Sequence, residues 1–155
     1  YFGSLTRTAW LDRGVRNLPV AAGSSYIYNH EIGYDDDGSA MNSFIESAAM
    51  DLSDGDSFIY IRRIIPDLTF SGSTNLSSPQ ATFTIKARNF PGEDFSNTGS
   101  GTTERTASSP VETFTNQLHL RSRGRSFALK VESSALGTKW KLGSPRIDQR
   151  ADGRR

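Results

Sequence analysis

Side chains that commonly bind metals stand close together in one acidic stretch of the sequence. His30 and Glu31 precede a contiguous run of Asp35, Asp36 and Asp37, which a glycine follows. Carboxylate oxygens suit calcium, but a calcium loop spaces its ligands at alternate positions and adds a distant glutamate. Both features are missing from this run. The pattern therefore predicts a solvated acidic turn rather than a metal site, and we predict no cofactor.

Four carboxylates and one histidine are the remaining candidates for catalysis. Glycoside hydrolysis needs two carboxylates at a set separation, and Glu46, Asp51, Asp54 and Asp56 lie close together in sequence. His119 stands on the polar side of an alternating run, without a cysteine or a Gly-x-Ser-x-Gly motif to supply a nucleophile. We therefore predict that the chain is not an enzyme. The alternative is a hydrolase whose turnover would be abolished by a Glu46→Gln substitution.

Arginines are concentrated in two parts of the sequence. Arg121 and Arg123 share one face of a predicted strand, because side chains two residues apart point the same way, and Arg125 follows them. This group could contact phosphate without regard to nucleotide sequence, or it could pair with acidic residues of a neighbouring subunit, which we prefer. The second group comprises Arg146, Arg150, Arg154 and Arg155. A planar guanidinium suits carboxylates and backbone carbonyls, so we predict that the second group lies at a subunit interface.

Charge is divided unevenly along the 155 residues. Residues 1–60 carry three arginines against nine carboxylates, a net charge of −6, whereas residues 61–155 carry a net charge of +7. This division of charge has two explanations. The basic half could form a surface that binds an acidic partner, or the acidic and basic halves could meet within one fold or between neighbouring subunits.

The chain has no cysteine, which excludes disulfides, and no run of 18 apolar residues, which predicts no membrane-spanning segment. Because it does not begin with methionine, we expect a fragment of a longer protein.

Alternation of apolar and polar residues predicts the strands that position these side chains. The predicted strands cover residues 26–32, 44–52, 57–65, 81–88, 114–123, 127–132 and 140–142. Residues 81–88 alternate cleanly. Residues 57–65 have apolar side chains at both odd and even positions, which predicts a central strand covered on two faces. Arg123, Gly124 and Arg125 stand between two alternating runs and predict a hairpin. Residues 89–110 predict a long loop.

No stretch of the sequence predicts a convincing amphipathic helix. Strands separated by turns, without helices between them, are typical of an antiparallel sandwich or barrel. We therefore predict an all-β fold with an antiparallel β-sandwich over residues 39–145. Residues 1–38 would be the end of a preceding β region, and residues 146–155 an arginine-rich C-terminal tail.

Three stretches together resemble one family of virion proteins. They are TRTAWLDRGV with YIYNHEIGYDDDG, then FIESAAMDLSDGDSFIYIRRIIPDLTFSGS continuing into TIKARNFPG, and the closing WKLGSPRIDQRADGRR. The combination resembles the C-terminal part of tail nozzle or tail tubular B-type proteins of short-tailed phages. The resemblance covers nearly the whole chain. Its most specific pieces are the Arg-Arg-Ile-Ile-Pro-Asp run and the closing Asp-Gly-Arg-Arg.

The resemblance implies a β-rich subunit of a ring, often hexameric, through which double-stranded DNA is ejected. It also implies a propeller-like region that ends within residues 1–38, contacts with other tail or adaptor proteins and with fibres, and a place in the virion after assembly in the host cytoplasm. A channel that bound each phosphate of the DNA tightly would slow its ejection. We therefore expect the basic half of the chain to face neighbouring subunits or the outer wall, and the arginine-rich tail to be ordered on a neighbour.

Two alternative functions stay open at the level of sequence. A head-to-tail adaptor, or a plug that retains packaged DNA, differs from a nozzle in its position in the virion. A carbohydrate-binding receptor-recognition module of the tail would stack sugars on exposed aromatic rings, for which Trp10 and Trp140 are the candidates. Aromatic residues of a core are the commoner explanation for such rings.

Overall fold

The computed structural model contains strands joined by turns. It describes residues 7–13, 15, 17–51, 55–75, 78–90, 92 and 106–154. These residues form fifteen strands and no α-helix, which confirms the prediction of an all-β fold. All of the strand pairings among them are antiparallel. A helix long and apolar enough to cross a membrane is not found in this part of the chain.

The chain divides into two compact units, of which the first is Tyr1–Gly33. It contains a three-stranded sheet in which β1 (Ala9–Leu11), β2 (Val20–Ala22) and β3 (Ile27–Asn29) pair in that order. The strand predicted over residues 26–32 is therefore shorter than expected. Glu31 adopts a φ of 60°, a left-handed conformation that an extended strand does not allow.

The second unit, Tyr34–Arg155, contains the remaining strands. They are β4 (Asp35–Asp36), β5 (Ser39–Ala40), β6 (Ser43–Glu46), β7 (Met50–Asp51), β8 (Ile59–Ile65), β9 (Leu68–Thr69), β10 (Ala81–Arg88), β11 (Thr106–Val111), β12 (Ser122–Gly124), β13 (Ser126–Ser133), β14 (Lys141–Leu142) and β15 (Arg146–Ala151). The domain boundary predicted after residue 38 falls inside the hairpin that β4 and β5 form.

Two sheets build most of the second unit. The large sheet has the order β11-β10-β13-β6, with β7 also paired to β13, and the β8 sheet has the order β12-β8-β15. Buried side chains of both sheets belong to one apolar cluster, so the two sheets share a core. The cluster comprises Ile59, Ile61, Ile64, Phe70, Ala81, Phe83, Ile85, Ala87, Val111, Leu118, Leu120, Phe127, Leu129 and Val131.

Strand β10 follows the alternation predicted for residues 81–88. Its buried apolar side chains are Ala81, Phe83, Ile85 and Ala87. Thr84 points to the opposite face and is buried as well, and its hydroxyl is satisfied there by a hydrogen bond of 2.9 Å with the hydroxyl of Ser108 on β11. The face predicted to be polar is thus partly covered by neighbouring strands.

The loop predicted over residues 89–110 is partly wrong, because β11 begins at residue 106. This strand contains an alanine, two serines and a proline and has no aromatic residue, so its strand signal is weak. Pairing with the open edge of β10 decides its conformation. Pro110 lies opposite Thr82 and is tolerated because β11 is an edge strand. Residues 93–105 of the predicted loop lie outside the described residues.

The hairpin predicted at residues 123–125 is wrong. Strand β12 pairs with β8, whereas β13 pairs with β10, β6 and β7, so the chain passes from one sheet to the other at this point. A Cβ at Gly124 would lie 3.0 Å from the Cβ of Ala87 and 3.0 Å from the carbonyl oxygen of Arg88. The Arg125 N–H donates to that same oxygen at 3.0 Å. Glycine therefore permits a close crossing that a side chain would obstruct.

A turn replaces much of the strand predicted over residues 114–123. Phe114 is 76% exposed. The backbone N–H of Thr115 donates to the carbonyl of Glu112 at 3.0 Å, and the Thr115 hydroxyl accepts from the Glu112 N–H at 3.0 Å. The later part of the prediction holds, since Leu118 and Leu120 are buried and β12 follows them.

The strand predicted over residues 44–52 is interrupted. Strands β6 and β7 both pair with β13. Between them, the Ser47 N–H donates to the carbonyl of Leu129 at 2.9 Å, and the Ser47 hydroxyl accepts from the Leu129 N–H at 3.0 Å. A side-chain hydroxyl thus replaces one backbone acceptor of the ladder.

The C-terminal segment forms a strand within its own chain. Strand β15 pairs with β8, and Ile147 lies opposite Ile64 and packs against the core. The register shifts between Asp148 and Gln149. The segment predicted as a separate arginine-rich tail is therefore, as far as Ala151, an edge strand of the β8 sheet. Its polar composition hid the strand, because Ile147 is its one large apolar side chain.

Candidate arginine-rich interface

Strand β8 is central in its sheet, as predicted, but only one of its faces is buried. Ile59, Ile61 and Ile64 point into the core. On the other side Tyr60 is half-buried, and Arg62 is exposed where the register with β15 shifts. The prediction of a strand covered on two faces is therefore wrong. The outer side of this sheet is available to another molecule.

Arginines flank Tyr60 on both neighbouring strands. Arg123 of β12 and Arg150 of β15 are its direct partners in the antiparallel register. Directly opposed side chains lie on one face with Cβ atoms about 5 Å apart, so the three residues form a row across the sheet. Arg121 lies two residues before Arg123 and is exposed. We name this surface the arginine face, made of Phe58, Tyr60, Arg62, Arg121, Arg123, Arg125 and Arg150.

The ring of Phe58 orients two of these arginines. The Cζ atom of Arg123 lies 4.0 Å from the ring centroid, and that of Arg125 lies 5.0 Å from it. The backbone of Phe58 is itself fixed: its N–H donates to Gly153 at 2.8 Å, and its carbonyl accepts from the Asp152 N–H at 2.8 Å. A cation over an aromatic ring contributes about 0.5–2 kcal/mol. The guanidinium groups are therefore held in place before any partner arrives.

Carboxylates compensate only part of the positive charge on this sheet. Arg123 forms an ion pair with Asp152, and Arg63 forms one with Asp148 at 3.5 Å. Among the arginines of this sheet and of the segments next to it, the guanidinium groups of Arg62, Arg121, Arg146 and Arg150 make no hydrogen bond or ion pair with any described residue. The arginine face therefore presents exposed donors and an excess of positive charge.

Arg125 is half-buried and has no carboxylate partner among the described residues. Its Nη2 donates to the carbonyl oxygen of Arg154 at 3.4 Å. Its Nε is buried and has no hydrogen-bond partner in the described part of the chain. A guanidinium carries five N–H donors, so Arg125 retains donors that an incoming acceptor can satisfy.

The other arginines predicted at an interface are placed differently. Arg146 is exposed at the start of β15, opposite Ile65. The Nε of Arg154 lies 3.6 Å from the carboxylate of Asp56, and both side chains are strongly exposed, so this pair contributes little stability. Arg155 lies outside the described residues. The structure thus brings Arg121, Arg123, Arg125 and Arg150 to one surface, from two groups that the sequence keeps apart.

Sequence reasoning missed three residues of the arginine face, Phe58, Tyr60 and Arg62. It also missed Asp152, the carboxylate that pairs with Arg123. The available signal was the alternation of residues 58, 60 and 62 with the isoleucines at 59 and 61. Phe58 and Tyr60 count as hydrophobic, so odd and even positions of this segment both look apolar. That pattern concealed the alternation.

The candidate metal ligands are not brought together. Within the described ranges, no group of three His, Asp or Glu side chains could hold a metal ion. Arg7 donates to Nε2 of His30 at 2.7 Å, and the ring of Trp10 meets the imidazole edge-on at 4.5 Å. Asp35 accepts a hydrogen bond of 2.6 Å from the backbone N–H of Gly137. These residues serve local structure.

The candidate catalytic residues occupy surface positions. Glu46 pairs with Lys86 at 2.8 Å on the outer face of the large sheet. Asp56 is exposed and pairs with Arg154, and His119 is exposed. Asp54 lies outside the described residues. Glu46 and Asp56 thus face cations of their own chain, whereas Asp51 is exposed on β7 and makes no ion pair with a described residue.

The two tryptophans proposed for sugar stacking differ in environment. The indole N–H of Trp140 donates to the Ser43 hydroxyl at 2.9 Å, and the ring packs against the core. Trp10 is 58% exposed. Trp10 is therefore the more exposed of the two tryptophan rings.

The chemistry that this surface supports is the binding of anionic groups. Arginines held on a rigid sheet, next to aromatic rings, suit carboxylates and phosphates, which accept several hydrogen bonds at once. Comparison of the chain with protein-family models, with curated proteins and with solved structures finds no match.

Proposed function

We propose that the chain is a structural subunit of the tail tube of a short-tailed phage. In this proposal identical subunits form a ring, with six copies expected, and double-stranded DNA passes through it during ejection. The proposal places the protein in the virion after assembly in the host cytoplasm. The resemblance of three sequence stretches to tail nozzle proteins supports it, and so does the all-β fold.

The observation that carries the proposal is the arginine face. Arg and Tyr are enriched at the cores of protein–protein interfaces, where they bury large areas and make several hydrogen bonds. Here Arg121 and Arg150 are exposed, lack carboxylate partners among the described residues, and lie on a sheet whose opposite side is the core. Such a surface suits a neighbouring subunit.

The charge of this face also limits where it lies in a conduit for DNA. Each phosphate that an arginine neutralises releases counterions and strengthens binding, so a lumen lined with free arginines would hold the DNA. We therefore place the arginine face between subunits or towards other tail proteins. A head-to-tail adaptor or a DNA-retaining plug would use the same kind of interface at a different position in the virion.

The test is the mass and symmetry of the purified protein. Native mass spectrometry and electron micrographs are expected to show a closed ring of identical copies, and the denatured protein gives the mass of one copy as the control. A protein that stays monomeric from nanomolar to high micromolar concentration would contradict the proposal. A substrate bound in a cleft of that monomer would replace it with an enzymatic function.

A further inference from the structure

The arginine face is suited to a small number of carboxylates at fixed positions. Asp148 and Asp152 lie on the same sheet and pair with Arg63 and Arg123. A continuous phosphate backbone laid across the sheet would meet these carboxylates, whereas a short acidic segment can avoid them. The net charge of the whole chain is only +1, so no strong long-range field attracts a nucleic acid.

The same chain carries a short acidic segment of this kind. Strands β4 and β5 form a two-stranded hairpin whose turn residues, Asp37 and Gly38, have φ values of 50° and 80°. Two consecutive left-handed residues define a tight turn that Asp-Gly favours. Asp36 and Asp37 are exposed, and Asp35 anchors the hairpin through its hydrogen bond to Gly137.

Asp37 has no partner among the described residues of its own chain. Its carboxylate makes no hydrogen bond or ion pair with any described residue, as is also true of the guanidinium groups of Arg121 and Arg150. All three residues belong to the unit Tyr34–Arg155. Opposite charges therefore stand unpaired on two surfaces of one folded unit, which a second copy of the chain can bring together.

The dimensions of the two surfaces agree. Neighbouring strands lie about 4.8 Å apart, so Arg123 and Arg150 stand about 10 Å apart on either side of Tyr60. The two backbones of a hairpin are one strand spacing apart, about 5 Å, so the side chains at its tip span a distance comparable to that between the two arginines. Its aspartates would then face arginines on both flanks.

We propose that the acidic hairpin β4–β5 of one copy binds the arginine face of the next copy. This inference rests on the proposed function, since it names the contact by which the ring forms. The contact joins two different surfaces, so it is heterologous, and repetition of such a contact closes a ring when the rotation between copies allows it.

Charge reversal on each surface tests the contact. The face variant carries Arg121→Glu and Arg150→Glu. These substitutions should leave folding unchanged, because neither guanidinium has a partner in the described part of the chain. The hairpin variant carries Asp36→Lys and Asp37→Asn; asparagine tolerates the left-handed conformation that the turn needs. Each variant alone is expected to raise the dissociation constant of assembly at least about 100-fold, measured by sedimentation velocity.

Combining the two charge-reversed variants gives the decisive result. An equimolar mixture of the face and hairpin variants restores both kinds of contact, so it is expected to form rings in which the two variants alternate. A single chain that carries all four substitutions should assemble on its own through glutamate on the face and lysine on the hairpin. Lys141→Glu, an exposed lysine outside the arginine face, is the control and should leave assembly unchanged.

The outcomes separate this inference from the proposed function. Reversal variants that assemble like the unchanged protein would overturn the hairpin contact and leave the ring intact. An unchanged protein that never assembles would overturn both. If a short DNA duplex binds the unchanged protein, does not bind the face variant, and the face variant still assembles, the arginine face is a nucleic-acid site and the inference is wrong. Circular dichroism of each variant confirms that it is folded.

Discussion

At the scale of single residues, the same side-chain type has different roles on one sheet. Arg123 is neutralised by Asp152 and stacked on Phe58, so it belongs to the structure of the sheet. Arg150 occupies the mirror position beside Tyr60 and has no such partner among the described residues. A partner that binds the arginine face therefore gains more from Arg150 than from Arg123, because pairing Arg150 breaks no hydrogen bond or ion pair with a described residue.

Phe83 tests the core that supports the arginine face. Its side chain is 0% exposed at the centre of β10, so Phe83→Ala is expected to lower the free energy of unfolding by about 3–5 kcal/mol through lost burial and a residual cavity. Urea denaturation measures the change. Phe114→Ala removes an equally large ring that is 76% exposed and should change stability by less than about 0.5 kcal/mol. Equal effects of the two substitutions would contradict the assigned core.

At the scale of secondary-structure elements, β15 determines whether the arginine face exists. It supplies Arg150, completes the β8 sheet, and places Ile147 against the core. An edge strand with charged side chains also resists pairing with other sheets. The C-terminal arginines therefore serve the fold and the surface together.

Truncation distinguishes a strand from a loose tail. Removal of residues 144–155 deletes β15 and is expected to lower the free energy of unfolding by at least about 2 kcal/mol, since the burial of Ile147 and the backbone pairing with β8 are lost. Removal of residues 154 and 155 alone deletes one exposed ion pair and the hydrogen bond from Arg125 to the carbonyl of Arg154, and it should change the free energy of unfolding by less than about 1 kcal/mol. An unchanged denaturation midpoint after the longer deletion would show that the segment is a tail.

At the scale of the whole molecule, the large apolar cluster formed by described residues lies in one of the two units. Every residue of the apolar cluster belongs to the unit Tyr34–Arg155, which has enough strands to bury it. The sheet in Tyr1–Gly33 has three short strands, and such a sheet is marginal without further packing. The two units therefore differ in their ability to fold alone.

A chain limited to residues 34–155 is expected to fold without the preceding residues. It should unfold in one cooperative transition, with a urea midpoint close to that of the longer chain, because the cluster that stabilises it is complete. Trp140 is its only tryptophan and packs against the core, so its fluorescence reports the transition. A peptide of residues 1–33 is the comparison and should lack stable structure. Loss of the transition in the shorter chain would show that the core depends on the first unit.

The sequence by itself determined the β class and the strands with strong alternation. Residues 81–88 form β10 as predicted, because a period of two is imposed by the backbone geometry of a strand. Leu118 and Leu120 alternate with His119 and Arg121 in the sequence for the same reason, and both leucines are buried. The arginines were also recognised as the chemically distinctive residues, since residue type and number are local properties.

Only the tertiary structure decided which segments pair and which arginines meet. The segments at residues 106–111 and 146–151 carry weak strand patterns, and the open edges of β10 and β8 order them. Gly124 directs the chain into a second sheet instead of a hairpin because of its close approach to Ala87 and Arg88. Arg123 and Arg150 become neighbours of Tyr60 through a long-range register. No local pattern specifies such a register, because it depends on the free energy of the assembled core.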